Sequence, residues 1–195
     1  MKDRIVVALT GASGAGYGLE LIKGLDEKRK KGDISVDLIY NDGSIRIMED
    51  ERGIGLSDME KLADETVHSS RMDHRLASGS NLFKALVICP CTSSTLSKIH
   101  GGIADNLATR CASVALKERL PLIIVLRETP LSTPVLKAAY ELSSWGAVIL
   151  PASPPFYDLK DPTGIDLQRV IAGRIMDLIG LENDLTSRYR PEVKG

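Results

Sequence analysis

Short apolar runs alternate with stretches in which apolar residues recur every three or four positions. The first run, Ile5-Val6-Val7-Ala8-Leu9, is β-branched and stops at Thr10-Gly11, which reads as a buried parallel strand over residues 4–9. From Leu19 the spacing turns helical, with Leu21 and Ile22 each meeting Leu25, and predicts a helix to about residue 30. A second strand over 35–40 ends at Asn41-Asp42-Gly43, and a helix follows over 44–52. Residues 57–66 read as a short charged helix and 67–69 as a possible short extra strand. Ala77-Ser78-Gly79-Ser80-Asn81 is a flexible polar loop. A very apolar strand over 85–89 is stopped by Pro90, and Thr92-Ser93-Ser94-Thr95 opens the next helix.

The second half repeats the pattern. A helix over 105–120 carries Leu107, Cys111, Val114 and Ala115 on one face and ends at Pro121. Then come a strand over 122–126, a helix over 133–145 with Gly146 as its C-cap, and a strand over 147–150. A proline-rich loop over 151–162 holds Phe156 and Tyr157, and a last helix over 166–179 closes at Gly180. Strands alternating with helices imply an α/β fold: a doubly wound, three-layer, Rossmann-like or flavodoxin-like parallel sheet. If 67–69 is a strand the order is 3-2-1-4-5-6; if not, 2-1-3-4-5. Both orders put the first strand beside 85–89, so the chain reverses between them and their carboxyl ends flank the ligand crevice. A single domain is expected over 1–195, with its core over 4–180 and a C-terminal tail over 181–195.

That crevice receives the two most ligand-like loops. Thr10-Gly11-Ala12-Ser13-Gly14 joins a strand to a helix start, where free amides and the helix dipole suit an anion such as a phosphate. Ser13 adds a hydroxyl that either caps the helix or faces a ligand. The loop fits neither the Walker pattern, because Tyr17 follows Gly16, nor G-x-G-x-x-G, because Leu19 stands where the third glycine belongs. A bare tight turn is the alternative. Thr92 to Thr95 offer four hydroxyls where simple capping needs one.

Composition narrows the classes. A net charge of −1 with 43% hydrophobic residues speaks against disorder and generic nucleic-acid binding. No apolar run approaches the ~20 residues of a membrane helix, and the N-terminus enters a strand directly, so a cytoplasmic protein is expected. Cys89, Cys91 and Cys111 read as buried and reduced, and His68, His74 and His100 lack metal-type spacing, so no metal is expected. Arg127-Glu128 ends a buried strand at the carboxyl edge: the cation suits an anion, and the carboxyl suits proton transfer. Arg110 and Lys117 share a helix face two turns apart; Lys117 is either a dipole-favoured cation or part of a second anion site with Arg127 and Arg174.

These motifs together, in order, resemble the flavin prenyltransferase (UbiX) family. The residues that carry the likeness are Thr10–Ala15, Ala77–Ser80, Val87–Cys91, Ala115–Arg119, Arg127–Leu131, Gly146–Pro151 and Pro155–Tyr157. The resemblance implies reduced FMN as bound substrate, with a dimethylallyl group attached to its N5 and C6. The donor would be dimethylallyl monophosphate, or the diphosphate, and no metal would be needed. The product, prenylated FMN, would serve a UbiD-type decarboxylase, and the chain would form a dodecamer of trimers with shared sites. By matching motif, Gly11, Ala12, Ser13, Asn41, Thr92, Ser93, Ser94, Thr95 and Arg110 would contact FMN. Asn41 stands where the family usually has serine. Ser13 would also relay a proton, Glu51 would lie near the flavin, and Glu128 would protonate the leaving phosphate. Lys117, Arg127, Tyr157 and Arg174 would hold the donor phosphate. Arg75-Leu76 stand where some members carry tryptophan. An FMN-dependent cysteine-type decarboxylase, or a flavoprotein reductase or electron carrier, is the rival reading; the former typically uses an active-site histidine, and none lies near either loop in sequence.

Overall fold

A computed structural model describes residues 2–156 and 159–185. Its strands are β1 (Asp3–Ala8), β2 (Ile34–Tyr40), β3 (Glu65–His68), β4 (Ala85–Cys91), β5 (Leu122–Leu126) and β6 (Val148–Pro151). The helices are α1 (Ala15–Lys31), α2 (Asp42–Arg52), α3 (Leu56–Glu60), α4 (Ser93–His100), α5 (Leu107–Glu118), α6 (Thr133–Ser144) and α7 (Gly164–Leu178). All strand pairs are parallel, and the order is β3-β2-β1-β4-β5-β6, so the short third strand is real.

Alternation along β1 shows how the layers form. Ile5 and Val7 face one core with α1 and α7, whereas Val6 and Ala8 face another with α4 and α5. A central strand buried on both faces needs the unbroken apolar run that the sequence supplies. Helix α1 comes very near β4: a Cβ on Gly18 would stand 2.6 Å from the Cys89 carbonyl oxygen, so only glycine allows this approach.

Several predicted boundaries move. Strand β4 continues through Pro90 to Cys91, because its pairing with β5 shifts register between Ile88 and Cys91, and at such an irregularity proline omits no ladder bond. The helix expected over 57–66 is only Leu56–Glu60. Lys61 is its C-cap, and Asp64 then exchanges bonds with Val36 at 2.8 Å, through both its amide and its carboxylate, which draws the chain into β3. The helix expected from Leu19 begins at Ala15, behind Gly14, whose φ of 90° breaks the preceding backbone. Asn106 caps α5 and the left-handed Arg119 ends it, trimming the 105–120 expectation at both ends. Trp145 is the C-cap of α6, and Gly146, with φ 101°, is the residue after it. The loop at 77–81 is not loose: it follows a 3-10 turn, Arg75–Ala77, capped by His74, and Ser78 and Ser80 bond each other at 2.9 Å.

Candidate functional site

The crevice at the carboxyl edge of β1 and β4 is fastened by one hydroxyl. Thr10 donates to the Pro90 carbonyl at 2.7 Å and accepts from the Thr92 amide at 3.1 Å. Thr10 is 5% exposed, so this hydroxyl holds the two turns together inside the protein. Thr92 in turn caps α4, accepting the Thr95 amide at 3.0 Å. A third turn joins them: the Arg127 amide donates to the Cys91 carbonyl at 3.2 Å, and Arg127 Nε donates to the Ser13 carbonyl at 3.0 Å. Ser93 then donates from Oγ to Glu128 Oε2 at 3.2 Å. Ser13, Thr92, Ser93, Arg127 and Glu128 thus form one group built on three adjacent strand ends.

The start of α1 differs from expectation. Ser13 does not cap it, and its first two amides are already engaged. Glu51, at the end of α2, takes the Gly14 amide at 3.0 Å and the Ala15 amide at 2.8 Å. A carboxylate at a helix N-terminus meets the same amides and the same dipole as a phosphate, so the chain supplies its own anion. Among the described residues no hydrogen bond engages the amides of Gly11, Ala12 or Ser13, which keep their donors for a ligand.

Burial keeps the cysteines out of the chemistry. It pushes the Cys91 and Cys111 thiols up to about 12 and Cys89 higher still, so none is a thiolate near neutral pH. Tyr17 lies beneath the group with its hydroxyl 3.5 Å from the Ala152 carbonyl, and burial raises its pKa above the ordinary phenol value, with Cys89 adding to the effect. Among the described residues no three His, Cys, Asp or Glu side chains group as a metal site.

Comparison with known proteins bears on this arrangement. A family model described as Flavoprotein matches residues 1–158. The flavin prenyltransferase UbiX of Methanothermobacter thermautotrophicus is 42% identical over 186 residues, covering 95% of this chain and 94% of that protein. The chain belongs to the flavin prenyltransferase (UbiX) family. Crystalline AnUbiX (PadA1), in complex with FMN and dimethylallyl pyrophosphate, is 34% identical with a TM-score of 0.92, covering 98% of this chain and 99% of that one. A dodecameric FMN-dependent UbiX-like decarboxylase from Escherichia coli O157:H7 is 31% identical, with a TM-score of 0.91 over 96% of this chain and 100% of that one.

The remaining family positions fall in three places. Asn41 caps α2, with its side-chain oxygen on the Ser44 amide at 2.8 Å, which leaves its side-chain nitrogen for a ligand. Arg110 lies in the first turns of α5 and donates from Nε to the Ala77 carbonyl at 2.8 Å. Lys117, half exposed, is ~10 Å further along α5. It lines a cleft of about 680 Å³ with His100, Arg119 and Trp145, and its nearest carboxylate is Glu118 at 3.3 Å. Arg174, on α7, has Asp177 as its ion-pair partner at 4.0 Å. Of the three cations expected to form a second anion site, Lys117 and Arg174 thus each rest against a carboxylate and Arg127 against the Ser13 carbonyl. Tyr157 lies outside the described residues. Thr10 is the site residue that sequence reasoning passed over; a threonine closing a buried strand just before the glycine turn was its only signal.

Proposed function

We propose that this protein is a flavin prenyltransferase that attaches a dimethylallyl group to N5 and C6 of reduced FMN. The observation that carries the reading is the Thr10-fastened crevice, which joins free amides, hydroxyls, a cation and a carboxyl in a UbiX-family chain. These residues fit FMN: the amides of Gly11 to Ser13 and the hydroxyls of Thr92 to Thr95 match a polar ring edge, and Arg110 matches an anionic group. When bound, reduced FMN supplies the nucleophilic nitrogen and carbon.

The chain's own residues do the rest. Arg127 spends Nε on Ser13, so its two terminal nitrogens face the donor's phosphate without swinging away. Cations fixed beside a departing phosphate stabilise the charge that grows as the allylic C–O bond breaks, without a metal. Glu128, held by Ser93, passes a proton to the leaving oxygen. Glu51 holds α1, and Ser13 at the head of that helix relays a proton. Lys117, Tyr157 and Arg174 complete the phosphate cradle between protomers of a dodecamer built from trimers, on a single domain spanning the chain. The donor is dimethylallyl monophosphate or the diphosphate, and the prenylated FMN passes to a UbiD-type decarboxylase. Among the described residues no helix is long and apolar enough to cross a membrane. The three cysteines are buried and unpaired, which supports a reducing cytoplasm.

Glu128→Gln tests the assignment. It should bind FMN within about twofold of wild type and lose phosphate release by about 10²–10⁴-fold. Near-normal phosphate release would remove Glu128 from the mechanism.

A further inference from the structure

Asp37 lies in β2 with 1% of its surface exposed, and its Oδ1 has no hydrogen-bond partner. Burial pushes its carboxyl above the ordinary range, against the pull of Arg75 and Arg4. A carboxylate buried in a central strand is costly, and it needs partners held in place. Its partners are Arg4, at 3.4 Å, and Arg75, whose Nη2 donates at 3.0 Å. The same Nη2 donates to Glu65 Oε2 at 2.7 Å, and Glu65 stands opposite Asp37 in the β2–β3 register. His74 adds a further tie, with Nε2 3.0 Å from Glu65 Oε1 and Nδ1 accepting the Leu76 amide at 3.3 Å.

All these bonds converge on the 3-10 turn Arg75–Ala77. That turn presents the Ala77 carbonyl to Arg110 Nε and the Leu76 carbonyl to Cys111 Sγ, at 2.8 and 3.4 Å. With Nε engaged, the Ala77 carbonyl sets the direction of the Arg110 guanidinium. Among the described residues, neither of its terminal nitrogens has a protein partner. Nothing in the known chemistry of the site requires Asp37, which lies below the crevice in the sheet.

We infer that Asp37 and Arg75 are positioning residues for Arg110: they fix the 3-10 turn whose Ala77 carbonyl aims the guanidinium at an anionic group of FMN. This rests on the FMN reading above.

A double-mutant cycle on FMN affinity, read by flavin fluorescence on the full-length protein, tests the coupling. Arg110→Leu should weaken FMN binding roughly 30-fold. Arg75→Leu should weaken it roughly fivefold with little change in kcat at saturating FMN, and Arg75→Lys should restore part of the loss. In the Arg110→Leu background, Arg75→Leu should add less than about twofold, because the group it aims is gone. Arg75→Lys keeps a cation beside Asp37 and reads the coupling where Arg75→Leu does not fold; where Asp37→Asn folds it should match Arg75→Leu. Additive losses, or wild-type FMN affinity in Arg75→Leu, overturn the inference while the FMN reading stands. Failure of the wild-type protein to bind FMN overturns that reading and this inference with it.

Discussion

Thr10 shows how much of the site one side chain can hold. Its hydroxyl is both donor and acceptor, so it closes two loops at once, and an apolar isostere loses both bonds. Thr10→Val keeps the shape but leaves the part-buried Thr92 amide and the buried Pro90 carbonyl without this partner. Chemical denaturation should show a loss of about 1–3 kcal/mol, and FMN should bind more weakly. Unchanged stability and affinity would show that the β1 and β4 turns hold their places without it. Glu51 makes the complementary point: it supplies to α1 the anion that a ligand was expected to bring.

Helices α1, α2 and α7 meet at Glu20, which is 2% exposed. Lys23, Arg52 and Arg169 surround it, at 2.9, 3.4 and 3.2 Å, and Arg52 also bonds Gln168 of α7. Arg52 follows Glu51 directly, so this junction sets where the Glu51 carboxylate meets α1. Burial raises the Glu20 carboxyl, but hydrogen bonds from Lys23 and Arg169 outweigh it and hold the group below the ordinary glutamate value. A folded-state pKa below the unfolded one adds stability above the unfolded value, and that stability is lost as pH falls. The melting temperature should therefore drop as pH is lowered below about 4.3, and Glu20→Gln should flatten that drop. A Glu20→Gln melting profile parallel to wild type would exclude the junction as a source of acid sensitivity. None of this was legible in the sequence. Glu20 sits among α1 residues that read as an ordinary polar face, and two of its three partners, Arg52 and Arg169, come from other helices. The strand order and the crevice between β1 and β4 were legible, because period and topology determine them. The end of β4 was not, because a register shift let proline remain in the strand.

At the scale of the whole molecule, Lys117 and Glu128 bear on assembly. Their positions in motif order suggested one cradle, but local spacing carries no information on which copy a side chain serves. In the proposed shared-site assembly, Lys117 of one protomer would act beside Glu128 of another. Co-expressing Lys117→Ala with Glu128→Gln chains should then restore about a quarter of wild-type sites in the mixed oligomers, from two inactive parents. No recovery would place both residues in the same protomer's site. The most direct test of the central claim is the mass of the flavin after anaerobic incubation of the protein with reduced FMN and dimethylallyl monophosphate or diphosphate. A flavin heavier by one C5H8 unit, formed with one equivalent of phosphate or diphosphate, is the predicted result. Flavin recovered at the mass of FMN with both donors would contradict it.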